Sequence, residues 1–86
     1  MTQGVKKTEL SGDEKKVLDA IVYGYRNGFP MRGIAISLKL KRPLADVRKI
    51  THELHRLGLI ETTYLKSWSW MPTQKGLLFH RGEVTL

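Results

Sequence analysis

The spacing of apolar residues changes at Gly58, and this change restricts the chain to a fold that mixes helices with strands. Before Gly58, apolar residues recur every three or four positions, at Leu44, Val47, Ile50, Leu54 and Leu57. This spacing predicts an amphipathic helix over residues 43–57, with Pro43 in its first turn and Gly58 as its positive-φ exit. After Gly58, apolar and polar residues alternate, which predicts a half-buried strand that starts at Leu59.

Residues 59–72 are predicted to form a β-hairpin. The second strand carries Trp68, Trp70 and Pro72 on one face, and Lys66-Ser67 interrupts the alternation between the two strands. We expect Trp70 to close the core and Trp68 to shield it at the rim, which we favour over stacking of either ring on nucleic-acid bases. An exposed Trp68 would equally suit contact with a partner subunit.

Three further helices are predicted from capping signals and apolar stripes. The first begins at Ser11, which has the spacing of a capping box with Glu14, and ends at Asn27-Gly28. Its apolar stripe consists of Val17, Leu18, Ile21, Val22 and Tyr25. A last short helix is predicted to start at Thr73 and to run through Phe79.

The second helix is predicted over residues 31–40, and its start lacks a good capping residue. The side chains predicted to face the core are Ile34, Ala35, Leu38 and Met31. Phe29-Pro30 is expected to be a short extended joint before this helix, because a residue that precedes proline disfavours the helical region.

A length of 86 residues leaves room for one compact domain. We assign this domain to residues 10–82, between a flexible arm at 1–9 and a tail at 83–86. The absence of cysteine excludes disulfides and thiolate metal ligands, and it favours a reducing intracellular setting. We find neither a signal-peptide core nor the ~20 apolar residues of a membrane span. A cytoplasmic protein with no membrane partner is therefore expected.

The formal net charge of +7 predicts a polyanionic partner, with nucleic acid preferred over an acidic membrane surface. Most of this charge lies in residues 31–60, which contain seven Lys and Arg but only two acidic residues. The seven are Arg32, Lys39, Lys41, Arg42, Arg48, Lys49 and Arg56. Because a charge that served only solubility would be spread more evenly, this clustering favours one binding surface.

A helical projection of residues 43–57 places small, basic and polar side chains opposite the apolar stripe. These residues are Ala45, Lys49, His52 and Arg56, with Arg48 and Lys41 beside them. For any single Lys or Arg, a solvated and salt-bridged helix surface is the simpler interpretation. As a cluster, these side chains favour contact with nucleic acid.

The chain resembles winged helix-turn-helix regulators of the MarR and PadR types. The resemblance lies in Ile34-Ala35, in the sequence Leu-Gly-Leu-Ile-Glu at 57–61 and in Trp-Met-Pro-Thr-Gln-Lys-Gly at 70–76, and it spans residues 10–80. It implies an α+β, mostly α fold, with a three-helix core, a two-stranded hairpin wing and a short C-terminal helix. The long C-terminal dimerisation helix of those families is absent from this sequence, and the turn at 40–44 lacks their Gly and Ser or Thr.

The resemblance implies that helix 43–57 enters the major groove of DNA and that hairpin 59–72 is the wing. The candidate DNA-binding residues are Arg32, Lys41, Arg42, Ala45, Arg48, Lys49, His52, Arg56 and Lys66. Arg48 and Lys49 are the first candidates, because Arg can pair with guanine through two hydrogen bonds. Arg56 is placed to contact a phosphate, and Lys66 to touch the backbone or minor groove at the wing tip, with Lys6 or Lys7 as weaker candidates.

Enzymatic and metal chemistry find little support in the sequence. It contains no phosphate-binding glycine loop, no Gly-x-Ser-x-Gly motif and no paired inward carboxylates, so we expect no catalytic site and no cofactor. His52 and His55 have a spacing that could bind a metal, but no third ligand is in reach. We therefore expect no metal.

The sequence thus predicts a sequence-specific protein that binds double-stranded DNA, a small transcriptional regulator of viral or plasmid type. A homodimer on a palindromic site is expected, because one helix contacts only a few base pairs. Two alternatives stay open at this point. The chain could be a winged-helix module for protein–protein contacts in a larger nucleic-acid-handling assembly, or it could bind RNA through the same basic surface.

Overall fold

The computed structural model describes residues 9–63 and 69–86 of the chain. These residues form α1 (Gly12–Arg26), β1 (Met31–Arg32), α2 (Gly33–Leu40), α3 (Leu44–Arg56), β2 (Ile60–Thr62), β3 (Ser69–Pro72) and α4 (Gln74–His80). The strands form one antiparallel sheet with the order β1-β3-β2. The predicted α+β class and the predicted order of helices and hairpin are confirmed, and β1 is a third strand that the sequence analysis did not predict.

Helix α1 starts and ends at the predicted signals. The Oγ of Ser11 accepts a hydrogen bond from the backbone N–H of Glu14 at 3.2 Å, and the N–H of Ser11 donates to Oε1 of Glu14 at 2.9 Å. The helix ends before Gly28, which has a φ of +86°. The apolar stripe is buried except at Tyr25, which is 44% exposed. That part of the prediction is wrong, because Tyr25 lies in the last turn and borders a surface cleft rather than the core.

Helix α2 packs on a different face from the predicted one. Ile34 and Leu38 were expected to face the core, but they are 49% and 73% exposed, whereas Ile36 is fully buried. Apolar residues occupy every second position from 34 to 40, so this short helix is apolar on more than one side and its packing decides which side is buried. Ala35 is half-buried against the core, as predicted.

The second helix also starts two residues later than predicted. Met31 pairs with Trp70 and Arg32 with Ser69 in the antiparallel sheet, so the backbone at 31 and 32 is extended. Met31 is buried as a strand residue. Arg32 is the N-cap residue of α2 and makes no side-chain capping hydrogen bond, which agrees with the poor start expected from the sequence.

Helix α3 has the predicted stripe and nearly the predicted bounds. Val47 and Leu54 are fully buried, while Leu44, Ile50 and Leu57 are half-buried. Pro43 is the N-cap residue, one position before the helix. The chain leaves α3 at Gly58 with a φ of +78°, as predicted.

The residue that caps α4 is hydrogen-bonded to the chain where it leaves α3. The Oγ1 of Thr73 accepts from the N–H of Gly76 at 2.9 Å and donates to the carbonyl of Gly58 at 2.6 Å, which confirms Thr73 as the cap of a last helix. Gly76 is buried so tightly that a Cβ there would lie 2.0 Å from the carbonyl oxygen of Leu59. Only glycine allows this approach between α4 and the first residues after α3.

The core lies between the helices and one face of the sheet. Its buried apolar residues are Leu10, Val17, Leu18, Ala20, Ile21, Val22, Met31, Ile36, Val47, Leu54, Leu59 and Ile60. Trp70 packs against this core as a half-buried ring, as predicted. The predictions for Trp68 and for the turn at Lys66 fall outside the described residues. No helix of the described part of the chain is long and apolar enough to cross a membrane.

Candidate nucleic-acid interface

The outer side of α3 carries the small and basic side chains that the sequence analysis singled out. Ala45, Lys49, His52 and Arg56 are all exposed. They lie opposite Val47 and Leu54, whose burial fixes the rotation of the helix about its axis. The packing of the apolar stripe therefore determines which side chains α3 presents to a partner.

Arg48 and Lys49 are exposed cations that form no ion pair with the described residues. Among the described residues, no acidic side chain lies within ion-pair distance of either, and the same holds for Arg32. A cation that makes no internal ion pair can approach an anionic partner without first losing one. These three side chains are thus available to a polyanion without the loss of an internal ion pair.

Arg56 is already held by a neighbour on its own helix. Its Nε and Nη2 donate to the two carboxylate oxygens of Glu53 at 2.9 and 2.8 Å. The hydrogen bonds that Arg56 donates to Glu53, and then the negative charge of Glu53, raise the pKa of Arg56. This pair neutralises part of the positive charge at the C-terminal end of α3.

Arg42 is held by a residue far away in sequence. Its guanidinium lies 2.6 Å from a carboxylate oxygen of Asp13, in the first turn of α1. Beside it, Lys41 is exposed and has a φ of +57°, in the left-handed region that glycine usually occupies at a helix end. Within the described part of the chain, the turn between α2 and α3 therefore presents Lys41 without an ion pair and Arg42 in one.

A cleft of about 350 Å³ borders the exposed face of α3 on the side of the sheet. Arg48 and His52 line it from α3, Arg32 and Ile34 from the start of α2, and Trp70 from β3. The cleft thus combines apolar surface with two cations that have no carboxylate partner among the described residues. The contribution of Ile34 to this surface was not predicted from the sequence, because its side chain was expected to face the core.

The histidines of α3 differ in their surroundings. His52 lies at the cleft, whereas the ring of His55 lies 5.5 Å from the ring of Trp70, tilted by 56°. Within residues 9–63 and 69–86, no group of three or more His, Cys, Asp or Glu side chains is arranged to hold a metal ion. Lys6, Lys7 and Lys66 lie outside the described residues, so their roles stay predictions.

Comparison of the fold with solved structures identifies a DNA-bound protein. The chain is similar to FabT of Streptococcus pneumoniae, a MarR-family winged-helix regulator whose crystal structure was determined in complex with DNA. The TM-score is 0.68 at 25% sequence identity, and the match covers 85% of this chain and 51% of FabT. No family model matches the sequence, and no curated protein matches it.

The fold is therefore a winged helix-turn-helix, as the resemblance in the sequence implied. In it, α2 and α3 form the helix-turn-helix and the hairpin of β2 and β3 forms the wing. The chain spans about half the length of FabT, so the similarity concerns that half of FabT.

Proposed function

We propose that this chain is a sequence-specific protein that binds double-stranded DNA and acts as a small transcriptional regulator in the cytoplasm. The observation that carries the proposal is the pair Arg48 and Lys49, exposed on α3 with no carboxylate partner among the described residues. The similarity of the fold to FabT, which was solved with DNA, supports the same function. Helix α3 would enter the major groove, and the hairpin would lie along the flanking backbone as a wing.

The exposed side chains of α3 suit different parts of the duplex. Arg48 can donate two hydrogen bonds to a guanine, and the small side chain of Ala45 permits close approach of the helix backbone. Lys49 and His52 have the reach to contact bases or phosphates. Lys41, Arg42 and Arg56 lie at the two ends of α3 and are assigned to phosphates, which position the protein without specifying sequence.

We further propose that the chain binds DNA as a homodimer. A single recognition helix contacts only a few base pairs, so two copies on half-sites about one helical turn apart would give both affinity and a palindromic site. Selection of bound duplexes from a random library tests this, together with the mass of the protein in solution. An enriched palindrome and a dimer mass are expected, whereas a monomer bound to an asymmetric site would contradict the dimer.

A gel-shift titration of point variants tests DNA binding itself. Arg48→Ala is expected to weaken binding to a selected duplex about 5- to 150-fold, the equivalent of ~1–3 kcal/mol for a two-hydrogen-bond contact with a base. Lys49→Ala should also weaken it. Arg26→Ala and Lys16→Ala are matched controls, because these residues line a cleft formed by α1, the end of α2 and α4, to which α3 contributes no residue. Parent-like binding by both α3 variants would contradict the assignment.

Competition separates DNA from the other partners that the sequence allowed. Duplex DNA in excess should displace a labelled duplex from the parent, and structured RNA at the same phosphate concentration should do so far less effectively. If RNA competes better, the basic surface serves RNA. If no duplex binds at any salt concentration, the proposed function is wrong and a protein partner replaces it.

A further inference from the structure

Helix α2 presents two apolar side chains away from the core. Ile34 and Leu38 are four residues apart, so they lie one turn apart on the same side of the helix, opposite the buried Ile36. Leu38 is 73% exposed and Ile34 is 49% exposed. Side chains that the core does not use are available to a partner.

The two side chains differ in what surrounds them. Ile34 lines the cleft that also contains Arg48 and His52 of α3, whereas Leu38 is not part of that cleft. Arg32 and Arg48 border the same cleft, and no carboxylate among the described residues pairs with either. Ile34 is therefore an apolar group that shares a cleft with two cations, on the surface that we assign to DNA.

The partner that fits this combination carries an apolar group close to negative charge. In the major groove of duplex DNA, thymine presents a C5-methyl group, and the flanking phosphates supply the charge. An isoleucine beside an arginine would thus contact the methyl group while the arginine binds a neighbouring base or phosphate. RNA would not supply this group, because uracil has no methyl at C5.

We propose that Ile34 contacts the C5-methyl group of a thymine next to the base or phosphate bound by Arg48, and so makes α2 a determinant of sequence specificity. This inference rests on the proposed function. It assigns to the first turn of α2 a base preference that the contacts of α3 alone would not give.

The test uses the full-length protein and a duplex selected by it from a random library. Each thymine of the selected site is replaced in turn by deoxyuridine, which removes only the methyl group. At one thymine, this replacement should weaken binding by the parent about fourfold, the equivalent of ~0.8 kcal/mol for one buried methylene-sized group. If no thymine of the site shows this effect, the inference is overturned without any variant being needed.

The same pair of duplexes is then measured with two variants. Ile34→Ala should bind the thymine duplex more weakly than the parent and should bind the two duplexes equally well. Leu38→Ala is the matched control, an equally apolar truncation one turn away, and it should keep the fourfold preference. If Ile34→Ala keeps the preference, or if Leu38→Ala loses it, the contact is not made by Ile34.

The outcome also distinguishes this inference from the proposed function. Circular dichroism of both variants should match that of the parent, because neither side chain is in the core. A parent that binds duplexes but selects no thymine retains the proposed DNA binding and overturns the methyl contact. A parent that binds no duplex overturns the proposed function, and the inference with it.

Discussion

The guanidinium of Arg42 lies 2.6 Å from the carboxylate of Asp13, which ties the turn between α2 and α3 to the first turn of α1. The two side chains are 41% and 47% exposed. Exposed ion pairs contribute at most about 1 kcal/mol to stability, so this pair matters more for charge than for folding. Asp13 partly neutralises a cation at the edge of the proposed DNA-binding surface.

We predict that Asp13→Asn tightens duplex binding about two- to fivefold at low salt, because it removes one negative charge from the vicinity of the phosphates. The gain should shrink as salt is added. The free energy of unfolding should fall by less than about 1 kcal/mol. Glu83→Gln is the control, since it releases Arg81 from an exposed pair of 3.0 Å beyond the end of α4. An equal gain in both variants would show that net charge alone is responsible.

Salt dependence should separate phosphate contacts from base contacts. For Lys41→Gln, we predict a uniform loss of affinity across duplexes, and the slope of log K against log salt should shrink by about 0.9 for the lost phosphate contact. For Arg48→Ala, we predict relaxed preference at one base pair of the selected site. Identical slopes for the parent and Lys41→Gln would remove Lys41 from the phosphate contacts.

The left-handed backbone at Lys41 predicts a stabilising substitution. A non-glycine residue at a φ of +57° is strained, so Lys41→Gly should raise the free energy of unfolding by about 0.5–1 kcal/mol in urea denaturation. Lys16→Gly, at an exposed position within α1, should lower it by ~1 kcal/mol instead. A loss of stability at both positions would contradict the strain at Lys41.

The contact of Gly76 with the backbone of Leu59 predicts a strongly destabilising substitution. Gly76→Ala places a Cβ 2.0 Å from the carbonyl oxygen of Leu59, so α4 must shift, and a loss of about 2 kcal/mol or more is expected in urea denaturation. Gly12→Ala is the control, because a Cβ there meets nothing within 4 Å. It should leave stability nearly unchanged or improve it. Equal stability of the two variants would contradict the close approach.

The elements that could be predicted are those whose signals are local. The capping box of Ser11 and Glu14, the cap at Thr73 and the long stripe of α3 each depend on residues within a few positions of one another. β1 has no such signal, since its two residues are extended only because β3 pairs with them. The prediction of which face of α2 is buried was wrong for a related reason. Alternating apolar residues make a short helix apolar on more than one side, so tertiary packing decides its rotation about its axis.

The candidate surface could be located from the sequence, but the pairing of its charges could not. Helical projection placed Arg48, Lys49 and Arg56 together, because periodicity fixes relative direction along one helix. The partner of Arg42 is 29 residues away, and nothing in the spacing of the chain indicates it. The apolar contribution of Ile34 was hidden by its assignment to the core.

Arg32 ends β1 and caps α2, so no linker residue separates the sheet from the helix. One inserted residue would either shift Met31 out of register with Trp70 or rotate α2 by about 100°, which would turn Ile36 out of the core. The exposed side chains at Arg32 and Ile34 can therefore change during evolution, and with them the DNA preference that we propose, whereas the number of residues at 31–36 cannot.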